Sequence, residues 1–532
     1  MRRVAVFILV PLILLSSTAF LSAQEDDERY FYKLNQALYN IANYYLDTVN
    51  QSNITDIAIA GMVSALDPHS AFIPADEVES MNEPLVGNFE GIGVEFAIIR
   101  DTLTIQAVIP GGPSESVGIR SGDKIVAVDG ETIAGTNLTI PRVHKYLRGT
   151  KGTRVTVDVA RRGESGYLEF VITRDKIPLN SVDAAYEMAD GIHYIKLGRF
   201  SATSYREIMS YLFSTGSYPK GIILDLRGNG GGYLVAALQI ANEFLNKGEL
   251  ILYTEGRNAP AMREYANGRG RLKNVPVAVL IDENSASASE IVSGALQDWD
   301  RGVIIGRRSF GKGLVQRQFD LLDGSQMRLT VARYHTPSGR VIQSPYKEGK
   351  AMEYYMAFYK RFENGEYMNR DSIDLPDSLR YSTLRLKRTV YGGGGIMPDI
   401  FMPADTSYYS PFYKDVLRKG VITEFINEYT DNERENLSGK YGSLDSFMEK
   451  FTVDEQLWEN FVSYALSKEC TYEPERDSVS RDKLSEFLKG LIIRNLYDMN
   501  SYFVFINGND VEVRKALEVI KSGNLFALSD SQ

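Results

Sequence analysis

Cysteine is almost missing from this chain. Cys470 stands alone among 532 residues, which excludes an internal disulfide and any thiolate-based metal cluster. Histidine is scarce as well: His69, His144, His193 and His335 are scattered. An excess of basic residues is lacking, since 59 Lys and Arg face 69 Asp and Glu for a net charge of -10. A phosphate backbone needs clustered cations, so no nucleic-acid partner is expected. There is no G-x-S-x-G, no short tandem repeat and, past the first residues, no long apolar run. The 44% of hydrophobic residues must therefore supply packed cores, and the length suggests about three or four structural units.

The one long apolar run opens the chain. "MRRVAVFILVPLILLSSTAFLSAQEDDE" gives two arginines, an apolar stretch from Val4 to Leu15, small residues and an abrupt acidic start. This is the layout of a secretory signal over 1–23, and it is short for a bilayer-spanning helix. Leu21 departs from the usual small-residue cleavage pattern, and an uncleaved segment would anchor the chain to a membrane. The expected location is the periplasm or outside the cell.

Residues 24–82 carry apolar residues at three- and four-residue intervals and predict a helical region, broken at "ALDPHSAFIP" by Pro68 and Pro74. His69 sits in that break, where the plainer expectation is a turn histidine bonded to backbone. From 83 to 177 the pattern changes to short strands with Gly turns around one helical piece, "IPRVHKYLRG". Residues 178–404 alternate strands and helices, an α/β core interrupted by a Tyr-rich insertion at 346–390 and closed by a strand in "GGGGIMPDIFMP". The remainder, 405–532, is helical by its amphipathic spacing.

Two short motifs mislead. "GRRSFGKGLVQ" nearly spells a phosphate-binding loop, but Gly313 replaces the required Ser or Thr, and the continuation reads as a strand with a turn at "LLDGSQ". "SGDK", Ser121 to Lys124, has the S-x-x-K pattern but no S-D-N or K-T-G partner. The more informative stretch is "VPVAVLIDENSASASE", a buried strand running into a helix start. A serine there has helix N–H groups beside it to receive a negative intermediate. Ser285, Ser287 and Ser289 compete for that role, and each could instead cap the helix. A desolvated lysine can serve as base because burial disfavours its charged form. Lys312, between two glycines at the end of another core strand, fits that role.

The wider pattern resembles a known family. "GIGVEF" and "VGIRSGDKIVAVDG" look like a PDZ domain. Followed in order by "DLRGNGGG", "ENSASASEIVSGALQD", "GRRSFGKGLVQ" and "YHTPSGRVIQ", they resemble the carboxyl-terminal processing proteases. The resemblance implies a crotonase/Clp-like α/β spiral peptidase core with an inserted PDZ domain and flanking helical segments. It also implies Ser287 as nucleophile, Lys312 as base and Gln316 as orienting amide. The oxyanion donors would be the N–H groups of Ala288 and Gly231, although Gly230 stands where the family usually has proline. Asp225, Arg227, Glu290 and Asp298 are expected to be structural hydrogen-bonders. No metal or cofactor is expected.

Gly91, Ile92, Gly93 and Val94 would form a backbone nest for the carboxylate of a peptide C-terminus, with the next strand offering an edge to the extended tail. Partners would thus be protein or peptide substrates met through their C-termini, with a second copy or an adaptor on the C-terminal helices. Two rival readings are a catalytically idle PDZ scaffold binding envelope proteins, and a Ser-His peptidase using His69 or His335.

Overall fold

The computed structural model describes residues 29–526 apart from 110 and 215; the secretory signal expected over 1–23 lies outside the described residues. The chain divides into two units. The smaller combines residues up to Val78 with Gln316–Thr330 and Tyr346–Tyr354. Here helices at 29–44 and Gln51–Ser64 precede a short strand, Ala71–Ile73, which pairs antiparallel with 326–328. Asp67 fixes the bend between them by accepting the N–H groups of His69 and Ser70, each at 2.8 Å. No helix among the described residues is long and apolar enough to cross a membrane.

The larger unit is organised by a six-stranded sheet whose strands lie side by side in chain order: β1 (Val182–Ala189), β2 (Ile192–Leu197), β3 (Gly221–Asp225), β4 (Val277–Ile281), β5 (Val303–Gly306) and β6 (Ile400–Phe401). The first pair is antiparallel and every later pair parallel. Parallel strands need both faces covered, so β3, β4 and β5 are buried at every position. One face, through Ile222, Leu224, Val277, Val279 and Ile281, packs on the helices α1 (Ser204–Ser214), α2 (Leu234–Phe244) and α3 (Ala288–Asp298). The alternate residues Ile223, Ala278 and Leu280 point the other way. They meet Val513, Ala516, Val519 and Ile520 of α4 (Val511–Lys521), the last helix among the described residues.

That packing divides the helical region expected over 405–532. The helical cluster around Phe412, Phe447, Trp458, Phe461, Leu488 and Ile492 is a core of its own, but α4 belongs to the α/β core. Sequence spacing shows that a helix is amphipathic, not which apolar surface it covers.

The expected strand module is present. Strands Val94–Ile99, Thr102–Val108, Lys124–Val128, Arg154–Ala160 and Tyr167–Thr173 form its sheet, and helix Ile140–Leu147 lies where the sequence placed it. A second, one-turn helix, Pro113–Ser116, is additional. The module joins the core through the antiparallel pair Asn88–Gly91 and Asp175–Pro178. It also meets the helical cluster, Lys124 pairing with Asp431 at 3.1 Å and Arg100 with Glu428. The insertion at 346–390 holds a helix, Ala351–Glu363, and a small hairpin, Arg380–Ser382 with Thr389–Tyr391.

Candidate active site

Three loops leave the carboxyl ends of β3, β4 and β5, the side of a parallel sheet where ligands bind. The loop after β4 resolves the competition among serines. Ser285 is fully buried and donates to the Leu226 carbonyl at 2.9 Å. Ser289 is fully buried and donates to the Asn229 carbonyl at 2.8 Å. Ser287 alone of the three is partly exposed. It stands at the start of α3 with φ 54° and ψ −109°. A non-glycine residue with positive φ is held there by its surroundings, a form of strain that collects at functional sites.

What holds it is Glu290, one turn into α3 and fully buried. Its Oε2 accepts the N–H of Ser287 at 2.8 Å and the N–H of Lys312 at 2.8 Å. Its Oε1 accepts the N–H of Gly311 at 2.7 Å and the hydroxyl of Ser309 at 2.6 Å. Burial pushes the Glu290 carboxyl above its ordinary value, while these hydrogen bonds oppose the shift. All four partners are donors, so the arrangement uses the carboxylate form. The buried Tyr334 closes the same assembly from the carbonyl side, its hydroxyl lying 3.2 Å from the Ser287 oxygen and 3.0 Å from the Lys312 oxygen. Ser287 and Lys312 are thus tied together through their main chains, by one carboxylate and one phenol. The sequence predicts Glu290 to be a structural hydrogen-bonder, and its bonds are of that kind. Tyr334 was missed, since one tyrosine among 32 carries no pattern.

The Gly-rich turn after β3 reaches the same place. A Cβ on Gly231, whose φ is +103°, would lie 2.9 Å from the Ser287 Cβ and 3.1 Å from the Ala288 nitrogen. Only glycine fits that approach. The Ala288 N–H has no acceptor among the described residues. The Gly231 N–H, expected as the second oxyanion donor, donates to Asn229 Oδ1 at 2.8 Å. To hold an oxyanion it would have to exchange that oxygen for the substrate's. Gln316 lies in the smaller unit, where its amide donates to the His69 carbonyl.

Of the histidines, His69 donates its main-chain N–H to Asp67 Oδ1 and its carbonyl accepts the Gln316 amide, whereas the sequence predicts a turn histidine bonded to backbone. His335 stacks on Tyr253 at 4.3 Å, with Nδ1 3.2 Å from the Gly339 carbonyl and Nε2 3.3 Å from Glu255. His193 meets the Tyr211 hydroxyl at 2.9 Å. No group of His, Cys, Asp and Glu able to hold a metal occurs among the described residues.

In the strand module, Gly93 has φ +77°, and a Cβ there would meet Ile177 at 2.9 Å. Val94–Ile99 is the end strand of its sheet, paired on one side with Thr102–Val108. Between its other edge and helix Ile140–Leu147 runs a cavity of about 180 Å³ lined by Phe89, Ile92, Val94, Phe96, His144 and Leu147 among others. Burial, then the nearby Arg148, holds His144 below its ordinary value. Arg148 is itself paired with Glu83 and lies over the Phe89 ring.

Three family models match the chain. Peptidase family S41 matches residues 191–348, a PDZ domain matches 104–161, and a family of unknown function, DUF8443, matches 412–498. The chain is 33% identical over 344 residues to a carboxy-terminal-processing protease of Bartonella bacilliformis, covering 64% of this chain and 78% of that protein. It is 35% identical over 324 residues to the carboxy-terminal processing protease CtpA of Bacillus subtilis, covering 60% and 68%. Among solved structures, a photosystem II D1 C-terminal processing protease is similar at 30% identity and a TM-score of 0.34, covering 59% of this chain and 83% of that one.

Proposed function

Because the chain belongs to peptidase family S41, with the carboxy-terminal-processing proteases, we propose that this serine-type peptidase cleaves protein substrates with a Ser287/Lys312 dyad after its PDZ domain engages their C-terminal tails. The observation that most supports the dyad is the single buried carboxylate, Glu290, that accepts the main-chain N–H of both residues. In this reading the Ser287 hydroxyl attacks the peptide carbonyl while the neutral Lys312 amine takes its proton. The tetrahedral oxygen receives the Ala288 N–H and a second N–H from the Gly-rich turn. Collapse breaks the C–N bond as the Lys312 ammonium protonates the leaving amine, and water then releases the acyl group by the same steps in reverse order. Gln316 enters by its place four residues after Lys312.

The groove beside Val94–Ile99 would take the tail as an added strand. The N–H groups at Gly91 to Val94 would meet the carboxylate, and Phe89, Ile92, Phe96 and Leu147 its last apolar side chain. The strands β1 to β6, side by side in chain order, support assigning the core to the crotonase/Clp-like spiral. The leader over 1–23 supports action in the periplasm or outside the cell. An unfolded casein-type substrate tests the activity. Wild type should yield fragments on a gel, Ser287→Ala should not, and equal cleavage by both would remove the assignment.

A further inference from the structure

Each of the three active-site loops carries a charged residue four or five positions ahead of a group that the dyad reading uses: Arg227 before Gly231, Glu283 before Ser287 and Arg307 before Lys312. All three belong to one chain of ion pairs. Arg307 Nε lies 2.8 Å from Glu283 Oε2, and its Nη1 lies 2.6 Å from Glu512 Oε1. The other oxygen of Glu512 is 2.7 Å from Arg227 Nη1, which also meets Asp510 at 2.8 Å. Arg227 in turn holds Asp225 at the end of β3. The Glu512 side chain is 7% exposed and those of Arg227 and Arg307 19% and 13%, so these pairs are shielded from the screening that weakens surface ones.

The geometry asks for a residue in this place. Arg227 and Arg307 follow strands separated by β4, about 10 Å apart by ordinary strand spacing. As like charges they would repel unless an anion lay between them. Glu512 spans the gap with one oxygen to each. It is supplied by the first turn of α4, whose apolar face is fixed on β3, β4 and β5. We infer that Glu512 is a positioning residue of the peptidase site, through which α4 sets the Gly-rich turn and the Lys312 loop relative to the Ser287 loop.

This inference rests on the Ser287/Lys312 reading and extends the site to a part of the chain that lies outside the S41 match at 191–348. It differs from a purely structural role in what it predicts for folded protein. A stabilising ion pair changes the melting temperature and leaves turnover alone. A positioning pair changes the chemical step, with little effect on substrate capture.

The test uses the full chain, a fluorophosphonate that labels activated serines, and a peptide substrate with an apolar tail, all below the melting temperature. In folded Glu512→Gln both the labelling rate of Ser287 and kcat should fall about ten-fold, with KM within about two-fold, since small displacements of reacting groups are costly. Arg307→Lys keeps the charge but cannot reach Glu283 and Glu512 together. It should lose about three-fold in the same two quantities by the same reasoning. Lys515→Ala, on the same helix and paired with Glu518, should match wild type. Wild-type labelling rates in folded Glu512→Gln and Arg307→Lys would overturn the inference while leaving the dyad standing. Should Glu512→Gln fail to fold, Arg307→Lys decides alone. A wild type that is never labelled at Ser287 would overturn the dyad, and this inference with it.

Discussion

One oxygen of Glu290 accepts the N–H of Ser287 and the N–H of Lys312 at the same distance, 2.8 Å. The two residues are 25 positions apart and follow different strands, yet neither can shift without breaking a bond that the other shares. The Ser287 main chain, in a conformation that other residues avoid, is held by the first residue that could reach back to it along the helix.

Glu290→Gln tests this link. The amide keeps the volume but turns an NH2 group toward donors. Loss of charge-assisted hydrogen bonds, worth roughly 1.5–3 kcal/mol each, predicts a fall in kcat of about ten- to a hundred-fold. Steady-state kinetics on folded protein check it, and Glu290→Ala should fall at least as far. Unchanged kcat in both would mean that the shared carboxylate has no part in setting the site.

The ion-pair chain below the loops gives a stability signature. Burial alone would raise the Asp225 carboxyl, but Arg227 and Lys196 outweigh it and hold the group well below the ordinary aspartate value of 3.8. A depressed carboxylate stabilises the fold above that value and loses its contribution as pH falls through the lower, folded one. Wild type should therefore lose melting temperature steeply on acidification below about pH 4. Asp225→Asn should start lower at neutral pH and show a flatter acid limb. Parallel curves for the two proteins by calorimetry would contradict this.

The PDZ groove predicts how substrates are chosen. Amidating a substrate's C-terminus should slow its cleavage several-fold, because the nest proposed at Gly91 to Val94 would then lose its anion. A free apolar-tail peptide added in trans should speed cleavage of a second substrate if the PDZ domain gates the site, and slow it if the domain only tethers. Gating is the expected outcome, since the domain precedes the core in the chain and is joined to it through the paired strands Asn88–Gly91 and Asp175–Pro178. Equal cutting of free and amidated tails would remove the carboxylate-reading role of Gly91 to Val94.

Much of this was legible in the residues because it rests on local chemistry. The strands in "VPVAVLID" and "GIILDL" are buried at every position and apolar up to the aspartate that follows or ends each, as a doubly covered parallel sheet demands. The turn at "LLDGSQ" and the helix of "SASEIVSGALQD" follow from Gly placement and spacing. What stayed hidden depends on contacts between distant segments. Nothing in "DVEVRKALEVIK" tells that its apolar face covers β4 or that Glu512 meets Arg227 and Arg307. The Gly231 N–H is taken by Asn229, two residues away, a side-chain choice that a glycine pattern cannot express. Likewise the preference for Ser287 over Ser285 and Ser289 rests, in the structure, on which hydroxyls are buried in carbonyl contacts.

The most direct test of the central claim is proteolysis of an unfolded protein by wild type, Ser287→Ala, Lys312→Ala, Gln316→Ala, His69→Ala and His335→Ala, each followed from acid to alkaline pH. The dyad predicts that Ser287→Ala and Lys312→Ala abolish cleavage with the fold intact, that Gln316→Ala only weakens it, and that both histidine variants retain it. Wild-type activity should rise with pH, because only the neutral lysine amine accepts the serine proton. Near wild-type turnover by Lys312→Ala, together with its loss in His69→Ala or His335→Ala, would contradict the account.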